Sequence, residues 1–316
     1  MKRFVIYLLA VLIPIAIALG IGEMCVRSVG NTYSFKRQVM LHNHEKVQTL
    51  VMGASHTYYG IKPDLLDGNA ISLAYVSQQM QYDEFLLKQV DYPQLKNVIL
   101  GISYSTFFND RLENMRTWYL AIYYKIYMHY PEHSDFSYYN FEFSDMDNFR
   151  KKLGYFFRRE STVDCDPYGW GRSYSLEKKN MKVWNEGNSG AETEENQRGK
   201  WPEAEKFAKK HLATLTRIAD FCKQRGARLI LVTTPCHNQY TRYLKPHQLR
   251  RMHELVDQIR KTHDVTYLDY LYDKRFEDND FYDPDHLSDV GAEKFTKILN
   301  ADIQRTASAA DADIEM

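Results

Sequence analysis

The chain has 316 residues with 41 basic and 41 acidic side chains, so it lacks the basic surplus expected of a general nucleic-acid binder. Hydrophobic residues at 44% and aromatics at 14% exclude a disordered chain, because they can supply a sizeable core. Four cysteines exclude a disulfide scaffold, whereas 24 Tyr and 16 Phe form a surplus that needs a location.

The N-terminus carries positive charge at Lys2 and Arg3. The 19 residues from Phe4 to Gly22 then contain no charge. As a helix they would span about 28 Å, close to the hydrocarbon thickness of a bilayer. The basic tip should stay in the cytoplasm, which exports the rest of the chain. Two readings stay open: an uncleaved signal anchor, favoured by the length of the run, and a signal peptide with Ala18-Leu19-Gly20 as its cleavage site. Cys25 lacks the preceding small residues of a lipobox. No later segment is as long and apolar, so a single pass is expected. In an oxidising compartment Cys165, Cys222 and Cys236 could form one disulfide, leaving one thiol unpaired. Cys222 reads as a small buried apolar residue.

Residues 23–45 read as a juxtamembrane stalk. Lys46 to Met52 is a short apolar run that stops at Gly53, the pattern of a buried strand entering a tight turn. Asn69 to Ala74 is a second strand candidate, Gln79 to Val90 a helix, and Asn97 to Ile102 a third strand. Trp201 to Arg225 is a long amphipathic helix closed by Gly226. Arg228 to Thr234 and Val265 to Asp269 are the fourth and fifth strands, with a helix marked by Met252, Leu255, Val256 and Ile259 between them. Ser288 caps a last helix. This alternation predicts an α/β fold, a doubly wound, flavodoxin-like sheet of five parallel strands with helices on both faces. Strands that are apolar almost throughout agree with burial on both sides. The predicted layout is 1–22 anchor, 23–45 stalk, 46–302 sheet domain with an insertion at 103–200, and 303–316 polar tail. The insertion concentrates the aromatics, from Trp118 to Trp170, and is expected over the sheet's C-terminal edge. Glu186 to Lys200 reads as a polar loop.

Two short segments carry the chemistry. Gly53-Ala54-Ser55-His56 follows the first strand, and Asp283-Pro284-Asp285-His286 precedes the last helix. A serine at a strand's C-terminal end can present its hydroxyl and its own N–H. A histidine before the last helix can reach it as the base, and a carboxylate three residues earlier can orient that histidine. The expected catalytic group is therefore Ser55, Asp283 and His286. Asp285 is the less favoured alternative for the acid. There is no G-x-S-x-G elbow.

With these two blocks the chain resembles the SGNH (GDSL-type) hydrolase superfamily over residues 46–102 and 202–302. It looks in particular like the membrane-anchored members of glycan O-acetylation, such as the D-alanine transfer protein and the alginate O-acetyltransferases. The resemblance implies an exported serine acyl-esterase or O-acyltransferase acting on a cell-surface or extracellular glycan through an acyl-enzyme, without a cofactor or metal. It implies a site on the outer side of a bacterial cytoplasmic membrane and a membrane-bound O-acyltransferase as partner and acyl donor. Hydrolysis and transfer both remain open. The alternative is a non-catalytic glycan-binding or assembly subunit on the same scaffold. The family takes oxyanion donors from a glycine after the second strand and an asparagine after the third. Here those places hold Ala74 and Ser103, which with the Ser55 N–H are the donor candidates. Asn109 lies further along, and Gln78 or Gln79 could offer a side-chain amide. His56, Gln78 and His237 are candidates for substrate contact, while Cys236 is a poor rival nucleophile to Ser55. His42 and His44 have no third ligand at metal spacing.

Overall fold

The computed structural model describes residues 1–109, 119–131, 140–179 and 201–314. Trp118, Phe136, Tyr138, Tyr139 and the expected loop at Glu186 to Lys200 lie outside these residues. The chain forms two compact units, one of Met1–Arg37 with Leu112–Asp164 and one of Gln38–Arg111 with Cys165–Met316.

The larger unit holds the predicted sheet. Strands β1 (Thr49–Met52), β2 (Ala70–Ser72), β3 (Asn97–Gly101), β4 (Arg228–Thr233) and β5 (Val265–Asp269) are all parallel, in the order β2-β1-β3-β4-β5. All five predicted strands form. Met52 pairs with Leu100 and Gly101 with Val232, so the C-terminal ends of the three central strands lie level. Every residue of β1 is buried, as continuous apolar runs require in a sheet covered on both faces. Val51, Ile99, Ile230 and Val232 share one core cluster with Phe295, Leu299 and Ile303. Those last three lie on the final helix, and the opposite strand faces are buried as well.

The helices of this unit include a short α3 (Ser55–Gly60), α4 (Met80–Lys88), a long helix at Trp201–Gln224, one at Pro246–Arg260, and the final helix Asp289–Ile314. Ser288 caps that final helix, its Oγ accepting from Gly291 N at 3.2 Å. The predicted polar tail from residue 303 is instead more of this helix. Ile303 is buried against the sheet, and the alanines at 307, 309, 310 and 312 favour helix continuation.

The smaller unit begins with α1 (Lys2–Arg27), which has a mean hydropathy of 2.8 and is long and apolar enough to cross a membrane. The expected stalk is largely helical: residues to Arg27 complete α1, and Thr32–Asn43 forms α2. The expected insertion also divides. Its part from Leu112 to Asp164 belongs with α1, not with the sheet. The reason is polar anchoring at the end of α1. Glu23 accepts from the Glu142 and Phe143 amides at 2.8 and 3.2 Å, and Thr32 Oγ1 donates to Asp164 Oδ1 at 2.6 Å. After α5 (Tyr119–Tyr127), helix α6 (Met146–Arg158) places the Lys152 ammonium on Glu142 at 2.5 Å. Glu142 also accepts from Tyr127 OH. Residues 103–111 and the strap from Cys165 to Lys179 lie in the sheet unit. No disulfide joins the described cysteines; Cys222 is buried, and burial pushes its thiol up to about 12.

Candidate active site

The site grows from the end of β1. Gly53 turns the chain with φ +116°, a conformation that favours glycine. Space requires glycine too, since a Cβ there would lie 3.0 Å from the Gly101 amide nitrogen, and one on Gly101 would lie 2.4 Å from Thr57 Cγ2. The Gly53 N–H donates to Asp83 Oδ1 at 2.8 Å, and Gln78 Nε2 donates to the same oxygen at 2.5 Å. Asp83 is buried on α4, and that burial lifts its carboxyl to about 7 against the lowering effect of both hydrogen bonds. The turn therefore delivers Ser55 from a braced support. Ser55 opens α3, where first-turn amides have no intrahelical acceptor; the Tyr58 N–H makes the first bond, to Ala54 O at 3.0 Å.

The second block forms a two-strand ribbon, Phe281–Asp283 with His286–Leu287, next to the capped final helix. Asp283 Oδ1 accepts from the backbone N–H of Asp285 at 3.1 Å and of His286 at 2.8 Å, which folds the turn onto its own carboxylate. His286 Nδ1 lies 2.9 and 3.1 Å from the two Asp283 oxygens, and Nε2 lies 2.8 Å from Ser55 Oγ. With the ring proton on Nδ1, Ser55 donates to Nε2 and the three predicted residues form one line of hydrogen bonds. Asp285 adds a second acid, 3.3 Å from His286 Nδ1 and 3.8 Å from His56 Nε2.

Charge follows from this geometry. Burial alone would raise Asp283, but the His286 charge and the hydrogen bonds outweigh it and hold the carboxyl at about 2. Burial alone would lower His286, but Asp283 and Asp285 raise it well above the usual histidine range. The His56 ring stacks on His286, centroids 4.7 Å apart. The ligand atoms of His56, Asp285 and His286 lie within 4.8 Å of one another, close enough to hold a metal ion. Both His286 nitrogens are already engaged, however, so the arrangement suits proton transfer better than metal binding.

The other predicted residues separate. The Ala74 N–H donates to Val51 O at 3.2 Å; it extends the β1–β2 pairing and is not available as an oxyanion donor. The Ser103 N–H is taken by Thr106 Oγ1 at 2.8 Å, and its hydroxyl lies 3.1 and 3.3 Å from those of Thr106 and Ser105. Gln78 turns its amide to Asp83, and Gln79 is the N-cap residue of α4. Asn109 O meets His211 Nε2 at 3.3 Å. His237 is a structural histidine: Nε2 meets Asp278 at 3.1 Å, Nδ1 accepts from Gln239 N, and its own N–H holds Pro284 O at 2.9 Å. Cys236 Sγ lies 3.7 Å from Asp285 O, beneath the same turn. His56 does reach the site. With Ala54, Thr57, Gly101 and Ser103 it lines a small open hollow of about 10 Å³ next to the Ser55 turn.

Sequence reasoning missed a tyrosine ladder. Tyr174 stacks on Tyr59 at 3.7 Å and on Tyr282 at 4.1 Å, and its ring stands edge-on to His286 at 5.2 Å. Burial, reinforced by the Asp283 charge, raises the Tyr174 phenol and keeps it protonated. The strap holds Tyr174 there: Trp170 Nε1 donates to Tyr59 O at 2.8 Å, and the Leu176 amide donates to Asp289 at 2.7 Å. Asp83 was also missed, although an acid at the core-facing position between Met80 and Leu86 was a visible signal.

A family model matches residues 193–308, less than half of the chain. Among curated proteins no relative matches. One solved structure that aligns is described as "The structure of a putative platelet activating factor from Streptococcus pneumonia". It shares 11% identity, covers 90% of this chain and 98% of its own, and has a TM-score of 0.43.

Proposed function

We propose that this protein is a serine acyl-esterase or O-acyltransferase of the SGNH type, anchored at the outer face of a bacterial cytoplasmic membrane and acting on a glycan. The observation that carries the reading is the unbroken line from Ser55 Oγ through His286 to Asp283. In the first step His286 Nε2 takes the Ser55 proton while Oγ attacks the acyl carbonyl. The oxyanion is stabilised in the first turn of α3, beginning with the Ser55 N–H. Collapse breaks the bond to the donor's leaving group, which takes the proton from His286 and leaves acyl-Ser55. A sugar hydroxyl, or water, then attacks in the mirror sequence and frees the serine. The tyrosine ladder offers flat faces for sugar rings. A membrane-bound O-acyltransferase is the proposed donor.

The full chain in detergent should be labelled by a fluorophosphonate, and Ser55→Ala should abolish the label. A folded protein that neither labels nor turns over p-nitrophenyl acetate would sink this reading. It would favour the second one, a non-catalytic glycan-binding subunit, which the engaged Ala74 and Ser103 amides support. Supplying an acetyl donor with and without a glycan acceptor separates transfer from hydrolysis, since release of acetate alone argues against transfer.

A further inference from the structure

Helix α6 has one side that its own packing leaves uncovered. Phe149 and Lys152 are buried. At about 100° per residue, Met146, Arg150, Leu153 and Phe157 fall on a single stripe next to that buried side. Met146 is 40% and Phe157 77% exposed. Arg150, Lys151, Arg158 and Arg159 are exposed around the stripe, with Arg158 also meeting Glu160 at 2.8 Å. A solitary exposed Phe would need no account. The place where this helix is held does need one.

The Phe149 ring packs on Gly22, where a Cβ would lie 2.8 Å from Phe149 Cζ. Gly22 is the last residue of the uncharged stretch whose helical length matches the hydrocarbon layer. One residue later Glu23 accepts two backbone amides just before α6, and Arg27 Nη2 donates to Asn140 O at 2.5 Å. The segment leading into α6 is therefore fastened to the turn of α1 that leaves the apolar stretch. Such a position is the depth of the headgroups.

We propose that α6 is an interfacial helix lying on an anionic bilayer surface. Met146, Leu153 and Phe157 enter the upper acyl region, and Arg150, Lys151, Arg158 and Arg159 meet lipid phosphates. This rests on the anchor reading of α1 and not on the chemistry at Ser55.

The test uses the full chain reconstituted in phosphatidylcholine vesicles containing phosphatidylglycerol, with Phe157→Trp compared against wild type. The added tryptophan emission should be blue-shifted and should be lost when the lipids are brominated on the acyl chain. Met146→Trp, three turns away on the same stripe, should behave alike. Unquenched, water-like emission from both variants, in protein that resists carbonate extraction, overturns the interfacial helix alone. Release by carbonate overturns the anchor and the helix together.

Discussion

Each unit contains a carboxylate, a nitrogen base and a hydroxyl in contact, and the two sets are wired differently. In the sheet unit the hydroxyl meets the base: Ser55 to His286, then His286 to Asp283. In the α1 unit both the hydroxyl and the base go to the carboxylate: Tyr127 and Lys152 both donate to Glu142. A proton can pass along the first line, because the base has a lone pair facing the hydroxyl. In the second the ammonium has no lone pair and only donates, to Glu142 and, at 3.5 Å, to the Tyr127 hydroxyl. Burial works against the Lys152 charge while Glu142 supports it, and burial with the Glu142 charge raises the Tyr127 phenol, so the group is a clamp. Exposure agrees. The side chains of Glu142 and Lys152 are 1% and 8% exposed, whereas His286 and Asp283 keep 12% and 13%. The same three kinds of group thus make a relay or a lock, depending on which one sits in the middle.

Breaking the relay should cost the most. Ser55→Ala removes the proposed nucleophile and, on the proposed reading, should lower acyl-ester turnover by about 10⁶-fold, with an unchanged melting temperature. Asp283→Asn keeps the shape but stabilises the wrong histidine tautomer, and should cost about 10⁴-fold in kcat. A fall of less than tenfold would show that Asp285, 3.3 Å from the same nitrogen, is the working acid.

Breaking the lock should act on stability instead. Lys152→Met leaves the Glu142 charge buried without its counter-ion and should destabilise the protein by about 3–5 kcal/mol, read from the urea midpoint. The double change Lys152→Met with Glu142→Leu should recover most of that loss. Fluorophosphonate labelling at Ser55 should persist in every variant that is still folded. If the single change cost nothing, the comparison between lock and relay would fail on the lock's side.

The sheet was legible because its signals are local. The strands read as short apolar runs, and the two blocks sit at recognisable boundaries, one at the end of β1 and one just before the capped final helix. What the sequence could not show depends on pairing over long separations. The Ala74 amide looks available until β1 and β2 are in register and Val51 O takes it. Tyr174 lies in a polar stretch with no periodicity, and only the strap bonds from Trp170 and Leu176 bring it to His286. The aromatic surplus misled for the same reason. Composition placed it over the sheet, but Glu23, a single acid at the end of an apolar helix, draws its first part into another unit.

The smallest expected effect concerns Asp285, and it tests whether the relay has one acid or two. His286 must be neutral to accept the serine proton, so activity should rise with pH along an acid limb lying above the usual histidine range. Stability runs the other way. A raised histidine contributes stability that is complete below its unfolded value and is lost as pH climbs through the folded one. The depressed Asp283 contributes above its own unfolded value, and that share is lost only as pH falls through about 2. The pair therefore strengthens the fold most at mildly acidic pH, where the proposed turnover should be slow. Asp285→Asn removes one of the two negative charges facing His286 but keeps an oxygen for Nδ1. The acid limb of kcat/KM should move to lower pH while the plateau stays close to wild type, and the melting temperature at pH 6 should fall slightly. A limb that does not move would leave Asp283 as the sole carboxylate governing His286. Asp285 would then act on His56, its other neighbour at 3.8 Å.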